Sequence, residues 1–175
     1  MSSRPPLAIR KNGLNLGLFL SVIFALNLGI GIIPPILVDI QRSLDLSLLQ
    51  VSLITAALGI GRLLGDLPAA KLMDRIGPFS GFSIGIVLIL LGTASSGVAS
   101  SGALLLGGRV LVGLGHALAI VGALSILMDK YGPSRWGRVT NLLEFTGIGA
   151  QMLSALVAGK LTVLIGWRSA FFLPW

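Results

Sequence analysis

Asp66-Leu67-Pro68-Ala69-Ala70-Lys71-Leu72-Met73-Asp74-Arg75-Ile76-Gly77-Pro78 is a polar interruption between two apolar stretches, and its reading decides the fold. Gly77 supplies backbone freedom, Pro78 blocks continuation of a helix, and Asp74 with Arg75 can join an ion network at a polar surface. These residues predict a tight connection between two membrane-crossing helices, at the level where lipid gives way to water.

Outward from that connection the chain consists of apolar runs near the length of about 20 residues that an α-helix needs to cross the hydrocarbon core. Spans are predicted near 14–37, 47–70, 79–100, 103–127 and 139–163, with a sixth beginning near 168 and incomplete at Trp175. Hydrophobic residues make up 54% of the 175 and charged residues only 11%, with a mean hydropathy of +0.96. A soluble domain of this composition would have no polar surface to show to water, which leaves the lipid bilayer as its environment. The first run is too long for a cleaved signal peptide, continues into Pro34-Pro35 and lacks a small-residue cleavage pattern in the right place. It is read as the first helix, following a short N-terminal segment at 1–13.

The net charge of +7 does not point to nucleic acid, because the 13 Lys and Arg are scattered between apolar runs and form no basic stripe with interleaved aromatics. Topology explains them better. With the N-terminus in the cytoplasm, Arg4, Arg10, Lys11, Lys71, Arg75, Lys130, Arg135 and Arg138 lie inside and only Arg42 and Arg168 outside. That bias predicts a multi-pass protein of the cell membrane. Lacking cysteine, the chain has no disulfide, thiolate nucleophile or cysteine metal site, and one histidine with no H-E-x-x-H offers no metal centre. No cofactor is expected.

Most of the 24 glycines fall inside the spans, among them Gly61 with Gly65, Gly81 with Gly85, and Gly113 with Gly115, where they allow helix backbones to approach closely. Gly81-Phe82-Ser83-Ile84-Gly85 also matches the G-x-S-x-G nucleophile elbow. An elbow needs a strand before it, a helix after it and an accessible acid and histidine, whereas this pentapeptide lies in a continuous apolar run.

Four motifs in register resemble the major facilitator superfamily of transporters. The first is the opening stretch, where Leu72, Asp74, Arg75 and Gly77 fall on the family's glycine-x-leucine-x-aspartate-arginine-x-glycine signature, with Ala70 in place of its first glycine and Pro78-Phe79 in place of its basic pair. The second, Arg109-Val110-Leu111-Val112-Gly113, is similar to the arginine-x-x-x-glycine element of the fourth helix. The third, Asp129 to Arg138, looks like the basic cytoplasmic turn after that helix, and the fourth, Gly166-Trp167-Arg168, like the opening of the sixth. The glycine-proline pair and two glycines of the drug antiporters' fifth helix are missing: Ser154-Ala155 and Ala158-Gly159 stand there, and only Gly159 fits.

Ionisable and polar groups within spans are costly and so are candidate functional residues. Arg109 lies about 9 Å below the outer end of its helix at 1.5 Å per residue, which calls for a carboxylate, a backbone carbonyl or a substrate as partner. His116 follows two turns later on nearly the same face, either packed and neutral or in contact with a proton or substrate. Glu144 and Gln151 repeat that spacing in the fifth span, with Gln151 at the depth of His116, so the two helices are expected to share a cavity. Glu144 either couples an ion or pairs with Arg138 or Lys130. Asn27 is a further cavity candidate, or a hydrogen-bonding partner of a neighbouring helix. Arg62 and Asp66, at i and i+4, are expected to pair, and Asp66 becomes a protonatable site only if Arg62 turns away. Lys160 is close enough to the outer end to snorkel.

The resemblance implies an all-α membrane protein, a transmembrane bundle corresponding to the amino-terminal six-helix half and ending in its sixth helix. It further implies secondary transport of a small-molecule substrate by alternating access, with protons as the candidate coupling ion. A missing C-terminal six-helix half would supply the other wall of the cavity. Leu72, Asp74, Arg75 and Gly77, with Asp129 as partner of Arg75, would form the conformational switch. Asn27, Asp66, Arg109, Gly113, His116, Glu144 and Gln151 would line the substrate or proton cavity, and no catalytic residue is needed. Two alternatives stand beside this reading: a non-transporting or truncated membrane subunit, and an intramembrane hydrolase built on Ser83.

Overall fold

The computed structural model describes residues 15–172; the N-terminal segment expected at 1–13 and residues 173–175 of the sixth span lie outside them. Six α-helices run α1 Leu16–Leu28, α2 Ile33–Ser43, α3 Leu48–Ile76, α4 Pro78–Gly97, α5 Gly102–Tyr131 and α6 Trp136–Ile165. They form five units long and apolar enough to cross a membrane, α1 and α2 together making the first.

That first unit is broken, where the sequence predicted one helix ending near 37. Pro34 and Pro35 occupy the first positions of α2 and have no N–H to donate to the carbonyls of Ile30 and Gly31, so the ladder stops and the chain turns through residues 29–32 before resuming to Ser43. Asn15 caps α1 by accepting from the Gly17 amide at 2.9 Å. Ser47 and Gln50 form a reciprocal capping box at the start of α3.

The stretch from Asp66 to Pro78 is not a loop. α3 continues through Pro68 and Lys71 to Ile76, so Asp74 and Arg75 stand on its last turn, and the connection to α4 is the single residue Gly77 at φ 86°. Only a residue without a Cβ holds that conformation cheaply. The basic turn after the fourth span is likewise shorter than expected: Asp129 to Tyr131 remain helical, Gly132 ends α5, and a 3-10 turn, Pro133–Arg135, leads into α6. Where the sixth span was expected to open near 168, Trp167–Phe171 form a 3-10 helix. Arg168 secures it by donating from Nη2 to the Ala99 carbonyl at 2.9 Å while its guanidinium stacks 4.3 Å over the Trp167 ring.

α5 is the central helix, packed between α3 and α4, and α6 lies against α1. Glycines make these crossings possible. A Cβ on Gly92 would stand 2.6 Å from the Gly108 carbonyl, one on Gly115 2.7 Å from that of Gly85, and one on Gly61 would strike the Val110 backbone. α3 buries one narrow stripe, Val51, Ile54, Ala57, Gly61, Gly65, Ala69 and Met73, and α6 another, Val139, Leu143, Gly147, Ala150, Ser154 and Ala158. Their other faces carry bare leucines and isoleucines and, on α6, Phe145, a surface for lipid or protein and not for water.

Two apolar clusters occupy opposite ends of the bundle. One gathers Ile32, Ile36, Ile40, Ile54, Leu105, Trp167 and Phe171 around α2, the other Phe19, Ile23, Phe82, Ala123, Leu127 and Leu143 around α1, α4, α5 and α6. Between them lies a polar layer.

Candidate functional site

The polar layer begins at the break in the first unit, whose freed carbonyls need donors because no water reaches them in lipid. Arg109 supplies two, donating from Nη1 to the Gly29 carbonyl at 3.2 Å and from Nη2 to the Ile30 carbonyl at 3.5 Å. Ile30 is the acceptor that Pro34 leaves without a helical partner. Ser154 of α6 donates its hydroxyl to the Leu28 carbonyl at the same break. With 2% of its surface exposed, Arg109 is enclosed by the protein. Of the partners expected for it, backbone carbonyls are the ones it has, and it does not line the cavity described next. Gly113 is also displaced from the expected cavity: it faces α3, where a Cβ would strike the Leu58 carbonyl.

One turn deeper, a cavity of about 50 Å³ opens between α1, α3, α5 and α6, lined by the polar side chains of Asn27, Arg62, His116, Glu144 and Gln151. At about 10–15 Å³ per water this holds a few water molecules or the polar end of a solute. His116, Arg62 and Gln151 each stand near the middle of a long helix, about 20 Å from its ends at 1.5 Å per residue, which sets the cavity at mid-depth. The amides are joined across helices: Gln151 Nε2 donates to Asn27 Oδ1 at 2.9 Å, and Asn27 Nδ2 donates to the Ile23 carbonyl at 2.9 Å. Gly147 makes room for this pair, since a Cβ there would stand 3.2 Å from Asn27 Oδ1.

His116 is buried, and neither ring nitrogen has a hydrogen-bond partner. Glu144, on an exposed position of α6, faces the cavity and makes no ion pair with Arg138. Arg62 was expected to pair with Asp66 along its helix unless it turned away. It forms that pair, Nε to Oδ2 at 3.5 Å, and lines the cavity as well. Asp66 is drawn off the cavity by the same contact. The signal for Arg62 was present in the sequence, since it stands half-way along its helix, level with His116.

The switch residues sit at one end of the bundle. Leu72 packs on the small cluster of Ala69, Met73 and Leu118, while Asp74, Arg75 and Asp129 are exposed. The expected pairing of Arg75 with Asp129 is not made, because each projects outward from the last turn of its own helix. Ser83 donates to the Phe79 carbonyl at 2.9 Å in the middle of a continuous helix, with no strand before it. It has none of the geometry of a nucleophile elbow, and the hydrolase alternative falls with it.

Comparison with known proteins yields a match of residues 19–174 to the model of the Major Facilitator Superfamily. Among curated proteins, the chain is 28% identical over 152 residues to the probable polyol transporter 3 of Arabidopsis thaliana, covering 85% of this chain and 30% of that protein. It is 25% identical over 174 residues to the methylenomycin A resistance protein of Bacillus subtilis, covering 95% and 37%. It is 31% identical over 126 residues to the D-xylose-proton symporter-like 1 of Arabidopsis thaliana, covering 71% and 25%. The chain thus spans well under half the length of each of these relatives.

Proposed function

The chain belongs to the Major Facilitator Superfamily, a family of multi-pass membrane transporters and not of enzymes, and on that premise we propose that it forms the amino-terminal wall of a carrier for a small solute. The observation that carries this reading is the polar cavity at mid-depth, lined from four helices and set between two apolar clusters. In such folds a site near the bilayer midplane is exposed to each side in turn as one half rocks against the other. The exposed apolar faces of α3 and α6 suit contact with a second half, which supplies the opposite wall. In this reading the N-terminus and the connection at 132–135 face the cytoplasm of the cell membrane, the side that the excess of basic residues favours. Asp74 and Arg75, at that surface, act in switching between orientations.

Coupling is to an ion, with protons the candidate, and works by changing the relative stability of the two orientations. One relative is named for xylose and protons, one for polyols and one for resistance to methylenomycin A, so the family assignment supports small solutes as a class. The test is flux. The protein expressed from its complete reading frame, reconstituted in liposomes, should accumulate or expel radiolabelled solute when a pH gradient is imposed. The same preparation should lose that flux when Glu144 and Gln151 are both replaced by leucine. Flux equal to that of empty liposomes across polyols, pentoses and amines would refute the proposal.

A further inference from the structure

The mid-depth cavity is lined by one cation, Arg62, and one carboxylate, Glu144, which are not paired with each other. They come from helices that each pack on α5 but share no packed interface of their own, so the two charges are held apart by the fold. Arg62 meets Asp66 as an ion pair at 3.5 Å, a contact that leaves most of its five N–H groups unspent. Glu144 has no ion pair or hydrogen bond among the described residues. The neutral groups beside them offer both kinds of hydrogen bond. One N–H of Gln151 goes to Asn27 Oδ1 and one N–H of Asn27 to the Ile23 carbonyl, which leaves each amide a second N–H and Gln151 its Oε1 acceptor. His116 in its neutral form adds one donor and one acceptor, both unsatisfied in a ring that is 6% exposed.

The lining is thus balanced in charge, with its two signs on different helices and donors and acceptors between which a small polar group can lie. From this we infer that the cavity receives a small zwitterion of the amino-acid type, its carboxylate on the Arg62 guanidinium and its ammonium on Glu144, with Gln151 and His116 completing the hydrogen bonds. A guanidinium matches a carboxylate through two parallel N–H bonds, and an ammonium brings three donors to a carboxylate and neutral acceptors. A solute with a single charge answers one of the two groups and meets a like charge at the other. A neutral solute leaves both charges unanswered at a depth where charge is costly. The inference rests on the transport reading and narrows it to the chemical class of the solute.

Four small probes separate the possibilities: L-alanine, propionate without the ammonium, ethylammonium without the carboxylate, and neutral propane-1,2-diol. Each is applied to the protein from its complete reading frame in lipid nanodiscs and followed by saturation-transfer NMR and by competition. Alanine should bind, and each of the others more weakly by about tenfold, which is what one charge-assisted hydrogen bond provides at its low end. Glu144→Gln should weaken alanine about tenfold and leave propionate no weaker. Arg62→Gln combined with Asp66→Asn, which orphans no carboxylate, should weaken alanine about tenfold and leave ethylammonium no weaker. Arg62, Asp66 and Glu144 all stand at exposed positions, so the variants should elute as the parent does. The ranking of probes in the parent decides by itself if one does not. No binding of alanine, a single-charge or neutral probe binding as well as alanine, or a folded variant that weakens all four probes alike would each overturn the assignment. Flux of a polyol with no binding of alanine would refute the zwitterion site and leave transport standing. Alanine binding with no flux of any solute would do the reverse.

Discussion

Arg109 should be needed because Pro34 is there. Replacing Arg109 by Met removes two hydrogen bonds from a charged donor, worth about 1.5–3 kcal/mol each, and leaves the carbonyls of Gly29 and Ile30 without donors. The same change relieves the burial of a guanidinium, about 2.5–3.5 kcal/mol on the insertion scale. The difference is centred on a net destabilisation of about 1.5 kcal/mol, within a range from about −0.5 to about 3.5 kcal/mol. Replacing Pro34 by Ala returns an N–H to position 34, able to donate to the Ile30 carbonyl, so one of the two bonds is no longer required. Pro34 is exposed, and its loss removes little packing. In the Pro34→Ala background, Arg109→Met should therefore cost about 1.5–3 kcal/mol less than in the parent, one charge-assisted bond's worth. The assay is a double-mutant cycle read by SDS titration of tryptophan fluorescence in mixed micelles. Additivity within about 0.5 kcal/mol would refute the clamp. So would an Arg109→Met protein as stable as the parent but unable to bind solute, which would return Arg109 to the solute itself.

Gly113→Val should prevent α3 and α5 from closing, an overpacking of about 1–3 kcal/mol or more, visible as loss of the monodisperse peak in detergent; a parent-like profile would contradict the crossing described. With no native cysteine, Ser134→Cys should resist a membrane-impermeant thiol reagent in intact cells while Ser43→Cys reacts, and the reverse pattern would invert the topology. Asp74→Asn should slow transport about tenfold, equivalent to 1.36 kcal/mol on the barrier, with equilibrium solute binding near normal. A binding loss as large as the rate loss would place Asp74 in the solute path and not in switching.

Hydropathy located the apolar runs but not the helix ends, and the reason is physical. It measures where side chains leave lipid, whereas helices continue for as long as backbone partners last. Lys71 to Ile76 and Trp136 to Arg138 are too polar to score as membrane yet are helical, and glycines at positive φ, Gly77 and Gly132, set the ends of α3 and α5. Pro34-Pro35 was visible as a helix breaker, but a broken span and a finished span look alike in sequence. Burial of Arg109 was legible from its depth. Its partners were not, because they are main-chain carbonyls 79 and 80 residues away and no letter of the sequence marks a carbonyl. Matching depths on two helices was enough to bring His116 and Gln151 together, while Arg75 and Asp129 share an end of the bundle without facing each other.

The clamp and the cavity share the same two elements, which bears on how one would feel the other. α6 holds the first unit by Ser154 on the Leu28 carbonyl and, one turn earlier, by Gln151 on the Asn27 side chain. α5 holds the unit at the next two residues through Arg109, and its His116 faces the cavity beside Asn27. Residues 27 to 30 are therefore gripped from two helices at four consecutive positions. The segment they grip lacks part of its own hydrogen-bond ladder, so it is the point of the unit least stiffened by its backbone and most dependent on its neighbours. A displacement of α6 against α5 cannot leave that segment where it is. It must either carry Asn27 along and reshape the cavity, or break one of these hydrogen bonds, at greatest cost around the enclosed Arg109. Occupancy of the cavity and the arrangement of the helices around the break are in this way linked through four residues of the chain, with no longer-range path required.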